Sequence, residues 1–129
     1  MKAKLFFLSI ITTILFAGCS GHKNELVGEW KVSDVKTDFD ETRTTPQMLQ
    51  QVVEIEKQNR LKFLDDSSLL IIIKGNTYEA LWKMGNDHVI HYHFKNDSTT
   101  HKLGVYSKPY IIAKSNTKIG AMTTTYEKE

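Results

Sequence analysis

Three histidines lie close enough along the chain to suggest a metal site. His91 and His93 form a His-x-His pair on one face of a candidate strand, and His101 falls on the next. Three imidazoles meeting at one point suit zinc or copper. Register decides whether they meet. A turn centred on Asn96-Asp97 sets Ile90 beside Leu103 and Tyr92 beside His101, which puts His101 on the opposite face from His91 and His93. A slip of one residue would bring His93 opposite His101, but it would also move Leu103 and Val105 onto the histidine face, because such a slip exchanges every side chain between faces. Matching the apolar sets selects the first register, and no metal or other cofactor is expected.

Nor do the nucleophiles and carboxylates assemble. Ser67, Ser68, Ser98, Ser107 and Ser115 fall in turn segments, where serine serves local hydrogen bonding. Asp65-Asp66 and Asp38-Asp40-Glu41 read as turn and loop carboxylates, with nothing to set an acid/base separation. The expectation is therefore not an enzyme. The aromatic residues are the more promising set. Trp30, Phe63, Tyr78, Trp82, Tyr92 and Phe94 share the inward parity of their strands, together with Val32, Leu61 and Ile90. They could line a pocket for a small apolar or amphipathic molecule, with tyrosine hydroxyls to orient it, or they could simply fill a core.

The elements that must position these residues begin after a leader. Residues 1–18 combine a basic start at Lys2 and Lys4, an apolar run from Leu5 to Phe16, and the small pair Ala17-Gly18 before Cys19, the layout of a secretory signal. Leu15-Phe16-Ala17-Gly18-Cys19 resembles the lipobox of bacterial lipoproteins. That resemblance implies cleavage before Cys19, fatty acylation of its thiol (palmitate-type chains) and a membrane as permanent partner. Multiple acyl chains hold a protein on a bilayer where a single chain binds only marginally. Ser20, in place of aspartate, is similar to the sorting pattern for the outer membrane. Residues 19–25 then form a tether and 26–129 the domain.

Of the 17 Lys and Arg residues two belong to the leader, so those that remain equal the 15 Asp and Glu. An electrically neutral domain offers no case for a nucleic-acid partner. With a single cysteine the domain also has no internal disulfide to lean on.

Leu26–Val32 alternates as a half-buried strand should, and Thr37–Thr44 is charged and irregular. Thr45-Pro46 then opens a helix, with a capping hydroxyl, a proline in the first turn and Met48, Leu49, Val52 and Val53 at helical spacing, running to Gln58. Beyond it the period is two throughout. Strands are expected at Leu61–Leu64, Leu69–Lys74, Thr77–Met84, His88–Phe94, Thr100–Tyr106, Pro109–Lys114 and Lys118–Tyr126. Breaks such as Gly75-Asn76 and Ser107-Lys108 are too short for anything but antiparallel hairpins. The fold class is all-β: an eight-stranded antiparallel up-and-down barrel with one helix between strands 1 and 2, preferred to a two-layer sandwich because neighbour-to-neighbour connections need no crossover.

Gly28-Glu29-Trp30 in the first strand, eight meander strands and a long first connection carrying a helix resemble the lipocalin-like domains of small bacterial lipoproteins. The departures are the absence of the second lipocalin motif in the loop joining later strands, of a disulfide pair and of an arginine in the last strand, where Lys128 stands instead. The resemblance implies Trp30 at the closed base and a mouth rimmed by residues 38–60, 74–77, 95–99 and 114–118, with the helix over or beside it as a lid. Two functions follow as expectations. One is a membrane-anchored lipoprotein that binds a small hydrophobic or amphipathic molecule in the cell envelope. The alternative is a protein-interaction module, an envelope inhibitor or accessory subunit, with a solid core and an exposed apolar patch around Leu69, Ile71 and Ile73.

Overall fold

The computed structural model describes residues 25–129. The leader 1–18, Cys19 and the tether up to residue 24 lie outside the described residues. Eight strands follow in chain order: β1 (Gly28–Phe39), β2 (Arg60–Phe63), β3 (Ser68–Ile73), β4 (Asn76–Met84), β5 (Val89–Phe94), β6 (His101–Ser107), β7 (Tyr110–Thr117) and β8 (Gly120–Lys128). Each pairs antiparallel with the next, and β8 returns to β1, so the sheet is a closed up-and-down barrel. Closure matters energetically because it leaves no row of unpaired strand groups around the sheet's ends. The β3–β4 hairpin turns on Lys74 and Gly75, both at positive φ (52° and 80°), and pairs Ile73 with Asn76. This mirror-image turn matches the twist of its strands, and it sits one residue earlier than the Gly75-Asn76 break expected from sequence.

Helix α1 (Pro46–Glu56) is capped by the Thr45 hydroxyl, which accepts from the Met48 amide at 3.2 Å. It ends two residues short of the expected Gln58. Two strands differ from expectation for one physical reason. β1 continues past Val32 to Phe39, where an irregular loop was expected, and its register against β8 shifts between Val32 and Asp34. Trp30 and Val32 face inward before this bulge, and Val35, Thr37 and Phe39 after it. The alternation changes phase in the middle of the strand and is invisible to a fixed period of two.

A second shift divides the β5–β6 pair. Tyr92 faces His101 as expected, but Ile90 pairs with Gly104 and not with Leu103. The extra residue lets Leu103 keep its contact with the core.

Eight of the nine residues expected to face inward belong to the core or pack against it, and Tyr78 shares the face of its partner Ile71 but is 44% exposed. Leu69 and Ile71 join them at 1% and 6% exposure, so of the apolar surface patch anticipated around Leu69, Ile71 and Ile73 only Ile73, at 38%, is exposed. Leu70 and Ile72 are the outward residues of β3, and both are half-buried. The barrel base is solid. Trp30, Leu61, Phe63, Leu69, Ile90 and Ile111 are almost fully buried there, Phe63 meets Trp82 edge to face at 4.9 Å, and Leu26 plugs the bottom at 0% exposure. The indoles are tied to the backbone as buried N–H groups require: Trp30 Nε1 donates to the Leu26 carbonyl at 2.8 Å and Trp82 Nε1 to that of Asp65 at 3.1 Å. Glu25 is held beneath by the Tyr106 hydroxyl at 2.9 Å and by Lys108 Nζ at 3.3 Å.

Candidate functional site

The opposite half of the barrel is built differently, because its wall is incomplete. β1 has 12 residues and β2 only four, so β2 pairs with Gly28–Lys31 and leaves Val32–Phe39 bonded to β8 alone. Helix α1 packs against β1 there. Leu49, Val52, Val53 and Glu56, one stripe at helical spacing, are half-buried, while Met48 and Ile55 on its flank are 46% and 43% exposed. The helix is therefore a panel beside the mouth.

Its last turn carries a charge into the interior. Thr124, an inward residue of β8 at 2% exposure, donates a 2.8 Å hydrogen bond to the Glu56 carboxylate. Directly after the helix, Asn59 is buried at 9% exposure, and its Oδ1 has no hydrogen-bond partner. Tyr126 completes the group. Burial, reinforced by the negative charge of Glu56, pushes its phenol well above the ordinary tyrosine range, against a small opposing pull from the Asn59 amide. Tyr92 lies near enough to add to that rise, and its own phenol is raised by burial.

Above these polar groups stand aromatic rings. Tyr92 packs on Phe94 at 5.4 Å and on His101 at 5.3 Å, and Tyr78 meets Phe94 at 6.0 Å. All four point inward from β4, β5 and β6, yet none is fully buried, and Tyr78 is 44% exposed. A cleft of about 320 Å³ opens at this rim, lined by Tyr78 and Phe94 together with Thr77, Glu79, Lys95 and Asn96, while Glu56 and Asn59 stand outside its lining. His91 and His93 lie outside, on a small outer cleft of about 80 Å³ with Leu81, Lys83 and Thr100. The three imidazoles do not converge, and among the described residues no group of three or more His, Cys, Asp or Glu is placed to hold a metal ion.

The six aromatics singled out from sequence thus divide. Trp30, Phe63 and Trp82 belong to the closed base, and Tyr78, Tyr92 and Phe94 to the open half. No protein-family model, curated protein or solved structure matches the chain. The chemistry must come from the site's own groups: aromatic walls, two acceptors near the bottom, and an opening to solvent.

Sequence reasoning missed Glu56, Asn59, Thr124, Tyr126 and His101 as members of this site. Thr124 and Tyr126 share a parity in the last strand, a signal that was there to be read. Glu56 and Asn59 carried none, since their position depends on how the helix leans against β1.

Proposed function

We propose that the protein is a lipid-anchored, lipocalin-like binding protein of the cell envelope whose barrel takes one small hydrophobic or amphipathic molecule through its open half. The observation that carries this reading is the contrast between the two ends. Tyr78, Tyr92, Phe94 and His101 face inward and still meet solvent, while the base beneath them is sealed by Trp30 and Leu26. A barrel of eight strands is just wide enough to hold one small ligand.

The anchor in this proposal is Cys19, and the outer membrane is the destination suggested by Ser20. The tether reaches the fold at Glu25 and Leu26, which are fixed to the base. An extended chain from Cys19 to Glu25 spans at most about 20 Å. The base then lies toward the bilayer and the mouth away from it. Native mass spectrometry of the mature protein from its own host tests the proposal. The expected result is a retained small molecule at one per chain, lost when Phe94→Ala opens the aromatic wall. A protein that carries nothing, and that fails to bind an environment-sensitive apolar dye, overturns it.

A further inference from the structure

We infer that the open half of the barrel receives an amphiphile head-first, and that the head is a hydrogen-bond donor or a cation, such as a primary amine, taken by Glu56 and by Asn59 Oδ1. This rests on the ligand-binding reading above and adds the chemistry of what binds.

The Asn59 acceptor is the first reason. The residue is 9% exposed and Oδ1 is unpartnered, whereas buried polar atoms are nearly always paired in folded proteins. A ligand donor would supply what the fold omits. Glu56 is the second. A carboxylate offers about four lone-pair sites, and Thr124 fills one of them.

The balance of charge points the same way. At the rim Lys95 and Glu79 pair at 3.5 Å and offset each other, whereas Glu56, which no ion pair answers among the described residues, would face an anionic head as a like charge. His101 packs against Tyr92 and Phe94, with the Asp97 carboxylate of the adjoining turn in electrostatic reach. Aromatic faces flank the path downward, and the ring faces of Tyr92, Phe94 and Tyr78 attract a cation as readily as they pack an alkyl chain.

The test uses residues 19–129 with Cys19→Ser, since every strand and the whole core cluster fall within that span. Dodecylamine, 1-dodecanol and dodecanoate share one tail and differ in the head, and each is titrated calorimetrically below its micelle concentration. The amine is expected to bind about tenfold tighter than the carboxylate, with the alcohol between them. Glu56→Gln keeps an oxygen for Thr124 and so keeps the fold. It should abolish the preference for the amine over the carboxylate, with an unchanged circular dichroism spectrum as the check that the barrel still folds. If the three bind equally, or the carboxylate binds best, the head-group inference fails and the ligand-binding reading survives. If none binds, both fail.

Discussion

Lys128 crosses Gly28 at the base of the barrel and donates a 2.9 Å hydrogen bond to the Glu25 carbonyl. The two strands set this up, because Lys128 sits opposite Trp30 in the β1–β8 ladder. The Gly-x-Trp spacing acquires a physical meaning from it. The glycine leaves room for the lysine stem, and the tryptophan two residues on fills the base and holds the Leu26 carbonyl.

Gly28→Ala is expected to destabilise the domain by about 1–3 kcal/mol in urea denaturation, mainly because φ is +136° there, a conformation side chains rarely adopt. The new Cβ would also stand 2.7 Å from Lys128 Cε. That atom ends a flexible chain and can move, so adding Lys128→Ala should recover only a small part of the loss. Gly104→Ala should cost more than Gly28→Ala. Its Cβ would run into the Ile112 carbonyl oxygen, and a backbone group in the neighbouring strand cannot swing aside. Equal and negligible effects at both positions would refute this account of the close approaches.

Trp30→Phe keeps a ring in the base and removes the N–H that satisfies Leu26. A buried carbonyl left unpaired costs about 1–3 kcal/mol, a large share of a stability of roughly 5–15 kcal/mol. The thermal midpoint should fall while ligand affinity stays unchanged, because Trp30 belongs to the closed end. A parallel loss of binding would show that the two ends are not separate.

Alkaline pH should weaken the fold through Tyr106 and Tyr126. Burial and the neighbouring Glu25 carboxylate push the Tyr106 phenol up to about 12, and Tyr126 is raised further by burial and Glu56. A folded-state value above the unfolded one means the folded protein holds its proton more tightly. The stabilisation is complete below about pH 10, where unfolded tyrosine titrates, and disappears as pH climbs through the folded values. Urea midpoints should hold steady to about pH 9.5 and then decline, with a shallower decline in Tyr126→Phe. A midpoint indifferent to pH up to 11.5 would contradict the assignment.

Helix α1 should open before the barrel does. It has no fully buried residue, its 11 residues are too few for a stable isolated helix, and it rests on β1 through one half-buried stripe. Hydrogen exchange at its amides should outpace that of β7 and β8. Thr45→Ala, which removes the N-cap, should speed this exchange by an amount matching about 1 kcal/mol and leave the unfolding midpoint of the barrel nearly unchanged. If the helix exchanges only with global unfolding, it is part of the core and not a movable panel.

Periodicity along the chain was enough to specify the barrel. Alternation in Leu26–Val32 and again from Leu61 to Tyr126, broken by turns too short for crossovers, indicated eight antiparallel strands and the inward faces of Trp30, Phe63 and Tyr92, while the Thr45-Pro46 cap and the spacing after it indicated the helix. Those are local properties: which residues alternate, and where the chain can reverse. The bulges in β1 and β6 lay beyond that reading, because a bulge is a mismatch between two strands and leaves each strand's own sequence ordinary. Leu69 and Ile71 were misjudged for a related reason, since a run of five apolar residues contains no alternation to say which side is covered.

The polar half of the candidate site, unlike its aromatic half, belongs to tertiary structure. Glu56 and Thr124 are 68 residues apart, on a helix and a strand that meet only because β2 is too short to complete the wall between β1 and β3. Side-chain types decided what the barrel could be made of. Closure decided which of them share its interior, since that depends on distances no linear pattern records.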